Sequence, residues 1–415
     1  MGRLKLLISA YACRPDQVSE AGMAWSYIRA AASHHDVWVI TRAQFRQQIE
    51  SELAARPIPN LNFIHYDLPR FLRIFKREGQ PTQIYYYLWQ LFAVSSARKL
   101  TAVIKFDIAH HVTFAKYWAP SLLSFLKVPF VWGPVGGGES APLSFWRDFG
   151  ARGLIYESLR SLARWIAEHD PLVRRTARHC AMGLGTTVES AARLSSVGAR
   201  NVRTCHAIAL AREDVAMLYD LPLREDGGCR FISVGRLLHW KGFHLGIEAF
   251  AKAGIAGSEY WIVGDGPDGK RLKALASRLG VADKVRFWGR LQRNETLDRL
   301  SQCDVLVHPS LHESGGMVCL EAMASARPVI CLDLGGPALQ VTDNVGVRVP
   351  GQQRHQAIQG IADAMAALAQ DPERRKAMGE AGRARVASPE YSWDSKVAIY
   401  EGIYREVIDR SFVNT

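Results

Sequence analysis

The chain has 415 residues, 48% apolar and 22% charged, which exceeds what one hydrophobic core usually serves and excludes a disordered or fibrous chain. Its formal charge of +12 is uneven: residues 1 to 210 hold 26 Lys and Arg against 14 Asp and Glu, while the remainder holds 26 of each. A basic first half suits an acidic membrane leaflet, an anionic substrate or nucleic acid, or is simply solvated; no nucleic-acid-binding signature accompanies it, so nucleic acid is not expected as a partner.

The opening stretch MGRLKLLISAYA runs straight into a strand pattern without a charged, then apolar, then cleavable leader, and a cytoplasmic location is expected. Apolar runs then alternate with helical stretches: LKLLISAYA, DVWVITR, LNFIHYDL, FDIAHHV, PFVWGPV, AMGLGTT and VRTCHA predict strands in the first half. PRFLRIFKR at 69 to 77 and IYYYLWQLF from Ile84 read either as a surface resting on an anionic membrane or as a packed helix with a solvated basic face. The apolar stretch Ile84 to Ala97 contains Gln90 and falls short of the roughly 20 residues of a spanning helix. CRFISVGR, EYWIVGDG, KVRFWGR, DVLVHPS and RPVICLD predict the strands of the second half, and the pattern as a whole is α/β with two doubly wound sheets. Periodicity lapses near residues 206 to 228, which divides the chain into domains 1–210 and 211–390, and YSWDSKVAIYEGIYREVI predicts an amphipathic terminal helix within 391–415. The seven cysteines are scattered without a C-x-x-C pair and read as reduced, buried residues.

Open parallel sheets bind ligands beyond the carboxyl ends of their strands, so the glycine turns there carry the functional reading. In HESGGMVCLE, Gly315 and Gly316 let the backbone approach a ligand, and the helix that follows suits a diphosphate. Glu313 could grip sugar hydroxyls and Glu321 a ribose diol; alternatively the first merely favours a helix dipole and the second is an ordinary surface residue. In VGRLLHWKG, Arg236 and Lys241 can converge on phosphates, although such a pair standing alone is usually surface charge. GDGPDG at 264 to 269 satisfies the dinucleotide G-x-G-x-x-G and raises an NAD-dependent oxidoreductase as a rival; its position deep in the chain favours a tight strand-to-helix turn. No nucleophile elbow, P-loop, H-E-x-x-H or Asp-x-Asp occurs, and the last absence argues against a metal-chelated diphosphate. His110 and His111 end FDIAHHV at the ligand edge or are satisfied core histidines.

SVGRLLHWKG, IVGDGP, VRFWGRL, CDVLVHPSLHESGGMVCLEAMASARPVI and LDLGGPALQV, in this order across about residues 230 to 345, resemble the retaining GT-B glycosyltransferases of family 4. The resemblance implies two Rossmann-like domains facing a central cleft, an N-terminal acceptor domain, a C-terminal nucleotide-sugar domain, and a last helix crossing back. It implies that Arg236 and Lys241 neutralise the donor diphosphate, that Glu313 contacts the donor sugar, and that Gly316, Met317 and Val318 offer backbone amides. Glu321 would hold the ribose, backbone around Arg290, Leu291 and Gln292 would border the base, and Gly235 and Gly315 belong to the same donor turns. In the first half, Gly22 would let its helix approach the diphosphate, and His111, or His110, would lie beside the sugar. Gly315 stands where relatives carry a bulkier residue, Ala326 where glycine is common, and GPVGGGE at 133 to 139 is read as shaping an acceptor cleft.

The activity so implied is transfer of a hexose from a nucleoside diphosphate sugar with retention, without metal or other cofactor, the departing phosphate taking the acceptor proton. The acceptor is read as a glycan or a lipid-linked glycan of cell-surface polysaccharide or glycolipid synthesis, with the basic first domain resting peripherally on the inner membrane face. A small soluble acceptor, the oxidoreductase and a non-catalytic sugar-nucleotide sensor are the alternatives.

Overall fold

The computed structural model describes residues 2–15, 20–69, 83–113, 116–224 and 227–413. The chain forms two compact units: one comprises Met1–Gly138, Ser161–Ile208 and Trp393–Thr415, the other Glu139–Arg160 and Ala209–Ser392. The sequence reading kept residues 139 to 160 with the first domain, whereas the chain packs them with the second.

The first unit is built on seven strands, β1 (Lys5–Ala10), β2 (Asp36–Arg42), β3 (Leu61–Tyr66), β4 (Ile108–Thr113), β5 (Phe130–Val135), β6 (Met182–Gly185) and β7 (Val202–Thr204). They pair in parallel in the order β3-β2-β1-β4-β5-β6-β7. The central strand β5 is buried throughout and β1 is buried after Lys5, because both sheet faces are covered by helices. One of those helices is Gln83–Val103. Its Tyr85, Tyr86 and Trp89 are fully buried with Tyr11, Ile40 and Trp132, while Leu91 and Phe92 on the same helix are exposed; of the reading that placed PRFLRIFKR and this run on a membrane, residues 70 to 77 lie outside the described residues.

The terminal helix Trp393–Val413 belongs to the first unit and packs on Glu20–His34. Its attachment explains His110: the Tyr404 hydroxyl donates to Nδ1 at 2.6 Å, and Nε2–H donates to the Gly133 carbonyl at 2.6 Å. Both ring nitrogens are thereby used, and burial pushes the ring down to about 4, keeping it neutral.

The second unit holds β8 (Arg230–Val234), β9 (Glu259–Val263), β10 (Val285–Gly289), β11 (Val305–His308), β12 (Val329–Leu332) and β13 (Gly346–Val349). These pair in parallel as β10-β9-β8-β11-β12-β13, whose order reverses between β8 and β11, the switch point where open α/β sheets take ligands. Phe145 and Phe149 from the first half of the chain are buried in this unit's core with Leu237, Phe243 and Leu272. Asp148 accepts from Arg354 at 2.6 Å.

Candidate functional site

At the switch point, β8 leads into a loop carrying Gly235, Arg236 and Lys241, and β11 leads into the turn 312 to 316. Backbone contact holds the two loops together: Leu311 N–H donates to the Trp240 carbonyl at 2.8 Å, and Gly242, at φ +68°, passes so close to the Pro309 carbonyl that an added Cβ would stand 1.9 Å from its oxygen. Consequently the Lys241 ammonium hydrogen-bonds Glu313. Burial opposes ionisation of Glu313, but Lys241 outweighs it and holds the carboxyl below its ordinary value. His308, at the end of β11, lies 3.8 Å from Glu313; burial, with Lys241 adding to it, pushes this imidazole down to about 4, so it is neutral. Arg236 projects from the same loop as an exposed cation.

The helix Met317–Ala324 starts at Gly316, whose φ of +85° suits glycine. Met317 and Val318 therefore form its first turn, with their amides directed out of its N-terminal end. The turn before it is shaped by the LGGP segment: Gly336 N–H donates to the Glu313 carbonyl at 2.8 Å, and Cβ atoms on Gly335 and Gly336 would meet the carbonyl oxygens of Glu313 and Ser314 at 2.4 and 2.5 Å. Glu321 is buried, and Arg293 donates to it at 2.6 Å while also reaching Asp214 at 2.9 Å. Burial raises the Glu321 carboxyl, and Arg293 offsets only part of that rise.

Glu157, His239, His312, Trp240 and Glu139, which the sequence reading did not single out, complete this site. Glu157, almost wholly buried, accepts from His239 Nε2–H at 3.0 Å and from His312 Nε2–H at 3.1 Å, with Arg160 at 3.6 Å. Burial opposes its charge, but the two imidazole N–H groups and Arg160 hold it at about 2; burial likewise pushes the His312 imidazole down, so an ionised carboxylate sits against a neutral His312 ring. His239 precedes Lys241 by two residues and His312 precedes Glu313 by one, which places Glu157 behind both members of the ion pair. Trp240 stacks between Tyr156 and His312 at 4.9 and 5.1 Å. Glu139, also buried, accepts from Ser314 at 2.7 Å. These partners lie 82 to 175 residues away in the chain, a separation at which no spacing rule operates.

Residues 223–385 match the family described as glycosyl transferases group 1. Over 181 residues the chain is 32% identical to the 2-deoxystreptamine glucosyltransferase of Streptomyces kanamyceticus, covering 43% of this chain and 45% of that protein. It is 41% identical over 106 residues to the lipopolysaccharide core biosynthesis glycosyltransferase LpsE of Rhizobium meliloti, covering 26% of this chain and 30% of that one. The alignments thus span less than half the length of these curated relatives. Among solved structures, sucrose-phosphate synthase from Thermosynechococcus elongatus superposes with a TM-score of 0.65 at 18% identity, covering 98% of this chain and all of that one.

The second unit carries a glycosyl transferases group 1 domain. The fold of the chain is GT-B, with one parallel sheet in each unit.

Within the glycosyl transferases group 1 domain, the G-x-G of GDGPDG has a packing cause. Cβ atoms on Gly264 and Gly266 would fall 1.9 Å from the Gly235 carbonyl oxygen and 2.5 Å from that of Leu237, and Leu237 N–H donates to the Asp265 carbonyl at 3.0 Å. These glycines seat the Arg236 loop, so the dinucleotide reading loses the motif on which it stood. Arg290 and Leu291 follow β10 in the loop leading to Arg293, Arg290 exposed and Leu291 half-buried. Gln340 donates to the Gly315 carbonyl, which fixes the turn at the position where relatives are bulkier.

In the first unit, Gly22 lies buried in the first turn of Glu20–His34. His111 is fully buried on β4, its Nε2 3.2 Å from the Tyr86 hydroxyl and its Nδ1 without a hydrogen-bond partner among the described residues. Burial, then His110, pushes it down to about 3. Gly138 in GPVGGGE passes over Ser190, whose Cα would meet an added Cβ at 2.5 Å, which gives that glycine a packing role.

Proposed function

We propose that the chain is a retaining glycosyltransferase that moves a hexose from a nucleoside diphosphate sugar to a glycan or lipid-linked acceptor. The observation that carries this reading is the Lys241–Glu313 ion pair at the β8/β11 switch point, set beside the outward-facing amides of Met317 and Val318. Lys241 and Arg236 are the cations for the donor diphosphate, and their charge favours its departure as negative charge builds in the transition state. Glu313 is an ionised acceptor for sugar hydroxyls, and Glu321, oriented by Arg293, for a ribose diol. Gly315 and Gly316 admit the sugar, Gly235 closes the phosphate loop, and Arg290 and Leu291 border the base. Gly22 and His111 are assigned to the diphosphate and the sugar by family likeness. The chemistry needs no metal in this reading, because fixed cations and amides carry the leaving-group charge; the departing phosphate takes the acceptor proton.

The match to LpsE and the basic first half favour an anionic, lipid-linked acceptor, handled by a protein peripheral to the inner membrane face. Among the described residues no helix is long and apolar enough to cross a membrane. The 2-deoxystreptamine glucosyltransferase favours a small soluble acceptor as the second reading.

A panel of UDP-, GDP- and ADP-sugars, scored by thermal shift and slow donor hydrolysis in the presence of a chelator, tests the proposal. One donor should stabilise the protein and be hydrolysed, and Lys241→Ala should lower kcat/KM for that hydrolysis by about a hundredfold or more. No response to any sugar nucleotide, with a shift from NAD, would overturn it.

A further inference from the structure

Three arginines among the described residues are less than a tenth exposed: Arg42, Arg164 and Arg327. A guanidinium keeps its charge at any pH a folded protein meets, so burying one is unfavourable unless its N–H groups find acceptors. Two of the three do. Arg164 donates to the Tyr117 hydroxyl at 2.9 Å and to the Gly138 carbonyl at 3.3 Å, and Arg327 donates to the carbonyls of Ser301 and Cys303 at 2.8 and 3.3 Å. Arg42 differs: it is 2% exposed, and neither Nε nor Nη2 has a hydrogen-bond partner among the described residues.

The surroundings of Arg42 hold this cation in place without pairing those two nitrogens. It is the last residue of β2, at the carboxyl edge of the first unit's sheet, and Tyr11 directly follows the neighbouring β1. Its guanidinium carbon lies 4.9 Å from the centre of the Tyr11 ring and 5.1 Å from that of Tyr85. Tyr11 is locked in turn, packing edge-on against Tyr86 and Trp89 at 5.0 and 5.2 Å. Ring faces attract the cation but do not stand in for in-plane acceptors of its N–H groups. The acid at the far end of Tyr85, Asp67, takes that residue's hydroxyl.

Nε and Nη2 form one edge of the guanidinium, a fork of parallel N–H groups spaced to meet both oxygens of a carboxylate or phosphate. Asp67 already brings negative charge to the far side of Tyr85, so a singly charged, planar carboxylate suits the fork better than a doubly charged phosphate monoester. Position agrees, since open parallel sheets take ligands beyond the carboxyl ends of their strands.

We propose that Arg42 anchors a carboxylate on the acceptor, and that the acceptor sugar is therefore acidic, a uronic acid or another sugar acid. The inference rests on the reading of the first unit as the acceptor domain of a glycosyltransferase. Nε–H and Nη2–H donate to the two carboxylate oxygens, while Tyr11 and Tyr85 keep the fork in its plane. A neutral sugar leaves the fork unpaired, and the site selects against it.

Methyl glucuronide is the probe, with methyl glucoside and glucose 6-phosphate as controls, titrated into the full chain at matched ionic strength and followed by ligand-observed NMR and thermal shift. The wild type should bind the glucuronide about tenfold or more tighter than either control. Arg42→Lys keeps a charge but loses the planar fork, and should weaken glucuronide binding about tenfold. Arg42→Met replaces an unneutralised buried cation by an apolar side chain, so it should abolish the preference and yet melt higher than the wild type without ligand. A purely structural arginine has the opposite sign, and a lower melting temperature for Arg42→Met would overturn the proposal. Equal binding of glucuronide and glucoside by the wild type would overturn it as well, as would tighter binding of the phosphate. None of these readouts needs turnover. A donor response without glucuronide preference would sink this inference alone, whereas preference through Arg42 with no response to any sugar nucleotide would sink the transferase reading and leave the carboxylate site standing.

Discussion

Glu313 and Glu321 stand eight residues apart on one turn and helix, and their surroundings shift them in opposite directions. Glu313 is held ionised by a directly bonded ammonium, whereas Glu321 is buried more deeply than its single guanidinium can compensate. The contrast matches two tasks, since Glu313 is a fixed anion against Lys241 while Glu321 is oriented by Arg293 as an acceptor for a hydroxyl pair. Ala326 shows a different residue-scale effect: its φ of 58° is left-handed, where an L side chain costs roughly 1 kcal/mol and glycine nothing. Ala326→Gly should therefore stabilise the second unit by about 0.5–1 kcal/mol, less the entropy glycine gains when unfolded; a higher urea midpoint with an unchanged slope checks it. The sequence pattern flagged this position as a departure from glycine, but only the backbone angle gives the departure a sign.

At the scale of elements, the segment 139–160 is the component whose role was least legible. The sequence reading placed it in the domain 1–210, yet Phe145 and Phe149 enter the second unit's core and Glu139 and Glu157 reach the 312–316 turn. Glycine turns, by contrast, were legible, because close backbone approach leaves glycine as the residue that fits and the letters record it. Glu157 supplies the test for this element. Its carboxyl is depressed from 4.5 to about 2, so its stabilising contribution is fully present above about pH 4.5 and is lost as pH falls towards 2. Acid unfolding followed by circular dichroism should show wild-type stability falling across that window, and Glu157→Gln, less stable at neutral pH, should show a shallower fall. Equal slopes would mean that the carboxylate is not ionised between the two rings.

Across the whole molecule, the chain passes between its two units at residues 138/139, 160/161, 208/209 and 392/393. Neither unit is therefore a contiguous fragment. A fragment comprising 209–392 would lack Phe145 and Phe149, each contributing about 2–3 kcal/mol of apolar burial, and would also lose the Asp148–Arg354 contact. It should melt earlier than the same fragment with 139–160 joined through a flexible linker, by differential scanning calorimetry; identical melts would show that the segment is not integral to the unit. The sequence alone determined the α/β class, the two sheets and the strand-end turns, because hydrophobic period and glycine placement are local consequences of backbone geometry. Tertiary structure alone decided that Glu157 braces Lys241 and Glu313, that Arg293 partners Glu321, that His110 is committed to Tyr404 and Gly133, and that Tyr85, Tyr86 and Trp89 are core. Those outcomes depend on which distant segments come to share a low-dielectric interior, and partners 28 to 294 residues apart leave no periodic trace in the chain.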